Sequence, residues 1–110
     1  MIACSPETKY SFIMYGNNLQ KINVAEEDGM DVVTVNVHNM SVKEAQVLIT
    51  NIIALNREPF ELDVIHGYVH GTAIKEMLCN TYRYKNHRIV SIRSDAWNPG
   101  ISHMMLNAAY

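Results

Sequence analysis

The chain has 110 residues, of which 48% are apolar and 18% are charged, and its formal net charge is −2 at pH 7. This composition is typical of a folded domain with one hydrophobic core and excludes a chain that is disordered throughout. No apolar run approaches the ~18 residues of a transmembrane helix, and the first residues lack the pattern of a signal peptide. The two cysteines, Cys4 and Cys79, lie far apart, which favours a reducing compartment. We therefore expect a cytoplasmic protein without membrane contact.

Charge is distributed unevenly along the chain. Residues 1–70 carry four basic and nine acidic side chains, net −5, whereas residues 71–97 carry five basic and two acidic side chains, net +3. A basic end on an acidic body is able to hold a polyanion. The alternative is that these lysines and arginines form only a solvated helix face.

The first 30 residues are predicted to form an N-terminal arm, which a β-hairpin would organise. Strand-like runs cover residues 10–15 and 19–24, on either side of the turn signal Gly16-Asn17-Asn18. An acidic break follows, and the main domain is expected to occupy residues 31–110.

Residues 31–110 show alternating strand and helix patterns. β-Branched residues alternate with polar ones over 31–38, which predicts a strand with one buried face. Ser41 and Glu44 form a capping box, and the apolar stripe that follows predicts a helix to about Asn56. The remaining predicted elements are a strand over 61–66, a helix over 72–83, and strands over 88–94 and 101–106.

This order predicts a two-layer α/β (α+β) domain, a mixed four-stranded βαβαββ sheet with two helices packed on it. Because a helix joins the first two strands, we expect them to be parallel with a right-handed crossover. Ligands of open α/β sheets bind outside the carboxyl ends of the strands, so functional residues are expected at that edge.

Histidines and glycines lie at these strand ends. His38 ends the first strand, and His66 ends the second and opens a loop with Gly67, His70 and Gly71. The glycines let a ligand approach the backbone closely, and free amides at the start of the next helix favour an anion. These residues predict a phosphate-binding pocket.

Each of these residues also has a structural interpretation. A histidine at a strand end is most often a satisfied polar residue, and glycines after a strand often permit only a sharp turn. Three histidines suggest a metal site, but no cysteine or carboxylate lies at ligand spacing from them. We therefore expect no metal and no cofactor.

Three short segments match a known pattern in order and spacing. Residues 35–45 read VNVHNMSVKEA, residues 64–74 read VIHGYVHGTAI, and residues 98–106 read NPGISHMML. They resemble, respectively, the LDxH motif and first helix, the HGxGxG loop and second helix, and the glycine turn and last strand of the Smr (small MutS-related) domain family. The resemblance covers roughly residues 31–107. It implies a fold like the C-terminal domain of translation initiation factor three, nucleic-acid binding and, in some members, endonuclease or nicking activity.

The motif positions can be carried over residue by residue. The histidine of LDxH is His38, and the first, second and last positions of HGxGxG are His66, Gly67 and Gly71. Two positions depart from the family. Asn36 replaces its aspartate, and an amide cannot act as a general base and is a poor ligand for a hard metal. Val69 replaces the middle glycine and narrows the approach to a phosphate. Both departures disfavour catalysis and leave binding open.

Three functions follow, in order of preference. The first is a nucleic-acid-binding domain that contacts the phosphates of DNA or RNA. Its predicted binding residues are Asn36, Gly67, Tyr68, His70, Gly71, Lys75 and Arg93. Arg88 would extend the contact, and Tyr68 and Trp97 are candidate stacking residues. The second is a DNA or RNA endonuclease in which His38 and His66 act as general acid or base. The third is a non-catalytic protein-interaction module, with a homodimer as an open alternative.

Overall fold

The computed structural model describes residues 22–38, 40–67, 73–82 and 86–109. The strands are β1 (Ile22–Glu27), β2 (Met30–Asn36), β3 (Phe60–Ile65), β4 (Ile89–Ser94) and β5 (Ile101–Leu106). The helices are α1 (Val42–Leu55) and α2 (Ala73–Glu76), and α2 is followed directly by a π-helical segment, Met77–Tyr82. No helix in these ranges is long and apolar enough to cross a membrane.

The strands form one mixed sheet in the order β1-β2-β3-β5-β4. β2 and β3 are parallel, as predicted from the helix that joins them, and the other three pairs are antiparallel. The structure is therefore a mixed α+β fold, which is compatible with the predicted α/β class.

The predicted count of four strands is wrong, because β1 adds a fifth. Asp28 and Gly29 have positive φ angles of 53° and 80° and close a tight hairpin between β1 and β2. Both central residues of a type I′ turn need this backbone region, and Asp-Gly is among its preferred pairs. The predicted acidic break is thus partly strand, since β1 includes Glu26 and Glu27. The strand predicted over 10–15, and its turn, lie outside the described residues.

The hydrophobic core lies between one face of the sheet and the helices. Alternate residues of β2, β3 and β5 point into it, and α1 and the segment that begins with α2 cover them. The strand residues of this core are Val33, Val35, Phe60, Leu62, Val64, Met104 and Leu106, and the helical ones are Ala45, Leu48, Ile49, Ile52, Ile53, Ile74, Met77 and Leu78. The second face of the sheet, which we call the polar face, carries charged side chains on β3 and β5.

Polar groups satisfy both ends of α1. The predicted capping box is present: the Ser41 hydroxyl accepts from the Glu44 amide, and the Ser41 amide donates to the Glu44 carboxylate. At the carboxyl end, the Arg88 guanidinium donates to the carbonyl oxygens of Ile53 (2.6 Å) and Asn56 (2.7 Å). A cation is favourable at this end of a helix because the unpaired carbonyls carry partial negative charge.

Arg88 is therefore a structural residue. Its side chain also donates to the Asn107 carbonyl (2.9 Å), which ties α1 to the end of β5, and only 7% of the residue is exposed. The expectation that Arg88 extends a nucleic-acid contact is wrong, because its guanidinium is committed to buried carbonyl groups.

Replacing Arg88 with methionine should lower the free energy of unfolding by about 2–4 kcal/mol, since it removes the hydrogen bonds that a buried, charged donor makes to three backbone carbonyl oxygens. Urea denaturation monitored by circular dichroism would measure this loss. The matched control is Arg57→Met, an exposed arginine near the same end of α1, which should change stability by less than about 0.5 kcal/mol. Equal losses in both variants would contradict the clamp role of Arg88.

Candidate functional site

Three segments meet at the carboxyl edge of the parallel strand pair. Backbone pairing continues past β2, where the Val37 amide donates to the Ile65 carbonyl (2.9 Å). The amides of His66 and Gly67 both donate to the Gly100 carbonyl, at 2.9 and 3.0 Å. The β4–β5 turn (residues 95–100) is therefore fixed against the end of β3. We call the surface formed by the ends of β2 and β3 and this turn the carboxyl edge.

Gly67 makes this close approach feasible. Its φ angle is +82°, and a Cβ atom at this position would lie 3.2 Å from the Cβ of His38. A Cβ on Gly100 would likewise lie 3.3 Å from the Cα of Gly67. Steric crowding thus explains why position 67 of the predicted loop is a glycine. Any side chain there would strain the backbone and push the neighbouring segments apart.

His38 is exposed and held in one orientation by Asn36. The Asn36 Oδ1 atom accepts from the His38 backbone amide (3.2 Å) and lies 2.7 Å from His38 Nδ1. Because the backbone amide can only donate, it identifies the facing atom of Asn36 as the oxygen. Nδ1 of neutral His38 therefore carries the proton, and Nε2 remains as an acceptor with no partner in the described part of the chain. Asn36 acts here as a positioning residue.

His66 differs sharply from His38 in its surroundings. Only 5% of the residue is exposed. Its Nδ1 donates to the Gly67 carbonyl (2.8 Å), and its Nε2 lies 2.8 Å from the Ser102 hydroxyl on β5. Since the carbonyl only accepts, the Ser102 hydroxyl must donate to Nε2 of the neutral ring.

The environment of His66 keeps it neutral. Burial lowers the pKa of His66 below 6.5, the Gly67 carbonyl partly opposes this, and the charge of Lys75 lowers it further. With both ring nitrogens engaged and the ring buried, His66 connects β3 to β5. This placement disfavours the catalytic and phosphate-contacting roles expected for His66, because both ring nitrogens are occupied by partners within the protein.

The other predicted contact residues are separated from one another. Lys75 is half-buried on α2, and its charge reaches His66, so it lies on the helix side of the carboxyl edge. Arg93 lies on β4 opposite His103, and its guanidinium lies 3.6 Å from the Glu61 carboxylate on the polar face. The structure therefore does not group Arg93 with Lys75. Tyr68, His70 and Gly71 lie outside the described residues.

Trp97 is the most exposed large apolar residue described, at 94% of its surface. It lies in the β4–β5 turn, where the Asp95 carboxylate accepts from the amides of Trp97 (3.0 Å) and Asn98 (2.9 Å). The Asn98 side chain then accepts from the Gly100 amide (2.9 Å). The turn is thus stabilised by hydrogen bonds within itself, and it carries an indole that is exposed to solvent.

The polar face carries a cluster of charged side chains that sequence reasoning missed. The ring of His103 lies between two carboxylates, with Nδ1 2.6 Å from Asp63 Oδ1 and Nε2 2.7 Å from Asp95 Oδ1. A Glu61 oxygen lies 3.5 Å from Nδ1. Asp63 and His103 are 40 positions apart and meet only because the β3–β5 register pairs them. The only signal in the sequence was the polar residues that alternate with apolar ones in two strands.

Opposite charges shift the pKa values of this cluster. Burial by itself would lower the pKa of His103, but hydrogen bonds to Asp95 and Asp63 raise it above 6.5. The hydrogen bond from His103 and the amide of Trp97 lower the pKa of Asp95. Hydrogen bonding to Asp63, with burial, raises the pKa of Glu61, against the charges of His103 and Arg93. The carboxylates therefore favour the protonated form of the imidazole that lies between them.

Comparison of the chain with family models, with curated proteins and with solved structures finds no match. The resemblance to the Smr domain accordingly stays a prediction made from three motif segments.

The buried state of His66 predicts a pH-dependent stability. Because the native ring takes up a proton less readily than a histidine of the unfolded chain, the unfolded chain binds more protons below about pH 6.5, and stability falls as the pH falls from there. Urea unfolding at about pH 7.5 and about pH 5.5 should show a larger loss for the wild type than for His66→Gln, which cannot titrate.

The comparison with His66→Gln is needed because His103, with its raised pKa, acts in the opposite direction. Long-range proton–nitrogen NMR spectra should also show His66 as the neutral Nδ1–H tautomer at neutral pH. A doubly protonated His66 ring under these conditions would contradict the assigned hydrogen bonds.

Proposed function

We propose that the chain is a nucleic-acid-binding domain that holds a single-stranded segment of DNA or RNA at the carboxyl edge of its sheet. In this arrangement a phosphate lies beside His38, Gly67 and Lys75, and a neighbouring base stacks on Trp97. The binding function is the one expected from the sequence and the Smr-like motifs. The contacts differ from those expected, because the phosphate lies near His66 and is not bound by the His66 ring.

The observation that carries the proposal is the exposed indole on a braced turn. An apolar ring with 94% of its surface in water adds nothing to the core. Aromatic side chains that line a nucleic-acid path stack on bases, and each such contact contributes about 1–3 kcal/mol. The hydrogen bonds that Asp95 and Asn98 make within the turn hold the backbone at Trp97 in place before a ligand binds, which reduces the backbone entropy lost on binding.

The neighbouring groups suit a phosphate. The His38 side chain is exposed to solvent at this edge, and its Nε2 has no partner in the described part of the chain. Lys75 adds a positive charge on the helix side. The contact with phosphate positions the strand, and stacking on Trp97 does not depend strongly on the base. Binding is therefore expected to be modest and largely independent of sequence.

Cleavage of the bound strand is a second candidate function, and the orientation of His38 favours it. Asn36 fixes the tautomer that leaves Nε2 free, which is the arrangement a general base requires. Asn36 has no negative charge with which to stabilise the imidazolium that would form. The buried His66 does not serve as the second titrating group. We therefore rank cleavage below binding.

Intrinsic fluorescence offers a direct test of binding, because Trp97 is the single tryptophan of the chain. A short single-stranded oligonucleotide at low salt should quench this fluorescence as a base stacks on the ring. Trp97→Ala should weaken binding by about 5- to 100-fold, the range that corresponds to one stacked base. Anisotropy of a labelled oligonucleotide measures this variant, which has no tryptophan signal.

The phosphate contact is tested with a matched pair of cationic residues. Lys75→Gln should weaken binding and reduce the salt slope of the affinity by about 0.7, the value for one phosphate contact to a single strand. Arg57→Gln, an exposed arginine near the opposite end of the sheet, should leave both unchanged. Equal losses in the two variants, or no binding by the wild type, would refute the proposed interface.

Cleavage, the second candidate function, has its own test. Nicking activity that is present in the wild type and absent in His38→Ala would establish it.

A further inference from the structure

The cluster on the polar face has the composition of a metal site. Two carboxylates of β3, Glu61 and Asp63, and the imidazole of His103 on β5 offer donor atoms that all lie within 4.8 Å of one another. Their side chains are only 15–17% exposed, so these donors are largely removed from water. The antiparallel register holds the two strands, and hence the donors, in a fixed relation.

The contacts of His103 supply a second, independent argument. Imidazole ligands of metals usually donate their other ring N–H to a carboxylate, which fixes the ring and makes it more basic. Asp95 occupies this position, 2.7 Å from Nε2, and comes from a different part of the chain, the β4–β5 turn. Asp95 is itself held by the amides of Trp97 and Asn98. Nδ1 is thereby directed toward Asp63 and Glu61.

The charge around His103 is predominantly negative. Three carboxylates lie around its ring, those of Glu61, Asp63 and Asp95. Arg93 adds one positive charge, with its guanidinium 3.6 Å from the Glu61 carboxylate. A divalent ion bound between the two carboxylates of β3 would offset this excess of negative charge. The ion would take the place of any proton on Nδ1, because a metal ligand must be unprotonated.

We propose that Glu61, Asp63 and His103 bind a divalent transition-metal ion of the Zn²⁺ or Mn²⁺ type, with Asp95 as the residue that orients the imidazole. Binding forms a bond between the ion and Nδ1, and the proton now shared between Nδ1 and Asp63 leaves to solvent. One nitrogen and two oxygen donors suit these ions better than Mg²⁺ or Ca²⁺, which prefer oxygen donors throughout.

The geometry requires only side-chain movement. Ligands of a tetrahedral zinc ion at ~2.1 Å from the metal lie ~3.4 Å apart. The 3.5 Å between His103 Nδ1 and the Glu61 oxygen already matches this spacing, and the 2.6 Å between Nδ1 and the Asp63 oxygen must open by roughly 1 Å to admit the ion. Three protein donors leave a fourth position for water or a ligand. The site lies on the polar face and does not depend on the proposed nucleic-acid function, although Asp95 belongs to the turn that carries Trp97.

Isothermal titration calorimetry of the full chain with ZnCl₂, MnCl₂ and MgCl₂ tests this inference. The expected result is one Zn²⁺ or Mn²⁺ ion per chain, much weaker binding of Mg²⁺, and release of about one proton per ion in buffers of different ionisation enthalpy. Glu61→Gln is the most informative loss variant, because Glu61 takes no part in the short hydrogen bonds of His103 and the fold should survive. It should weaken binding at least about tenfold, and Asp95→Asn should weaken it by about 10- to 100-fold.

Two variants outside the cluster serve as controls. His87→Gln and Asp31→Asn remove an exposed imidazole and an exposed carboxylate and should bind the ion as the wild type does. Wild-type affinity in Glu61→Gln and Asp63→Asn would overturn the assignment, as would the absence of Zn²⁺ and Mn²⁺ binding. Nitrogen NMR provides a further readout, since the Nδ1 resonance of His103 must shift and lose its proton when the ion binds. A ring still doubly protonated at saturation would also overturn it.

Discussion

The structure depends on the position of β3 between a parallel and an antiparallel neighbour with one face fully buried. Phe60, Leu62 and Val64 are at most 1% exposed, whereas the residues between them lie on the polar face. A slip of one residue in the pairing would bring Glu61 and Asp63 into the core, and burying two unpaired carboxylates would cost several kcal/mol. Hydrophobic burial therefore fixes the register of β3 against both β2 and β5.

That register generates both candidate sites. Because of this register, β2 and β3 end at the same edge of the sheet. His38 therefore contacts Gly67, and the β4–β5 turn packs on the same edge. Across the strands, it places Asp63 opposite His103. Three histidines consequently have three different environments. His38 is exposed, His66 is buried and neutral, and His103 lies between carboxylates. The surroundings of each ring, more than its place in a motif, decide what it can do.

Local sequence signals predicted the elements that local interactions specify. The capping box of Ser41 and Glu44 marks the start of α1, and the alternating pattern of the last strand gives the bounds of β5 to the residue. The parallel pairing of β2 and β3 followed from the helix between them. The strand β1 was misjudged because the Asp28-Gly29 hairpin signal was interpreted as an acidic break.

The residues that sequence reasoning misplaced are those whose partners lie far away along the chain. In the sequence, Arg88 is one of several basic residues close together. In the structure, it contacts carbonyl oxygens of residues more than 30 positions earlier in the chain. His66 reads as a motif histidine, yet Ser102 satisfies it from β5. Such contacts are set by strand register and by helix docking, and neither is encoded in a local spacing. The exposed Trp97 was recognisable only as an aromatic residue near a turn.

The most direct test of the proposed function is NMR mapping of the isotopically labelled chain with a short single-stranded oligonucleotide. The account predicts the largest shifts at the indole N–H of Trp97, the amide of Gly67 and the ring of His38, with Arg57 and the Asp28-Gly29 turn unchanged. Shifts centred on the opposite end of the sheet, or spectra that do not change at saturating oligonucleotide, would contradict it.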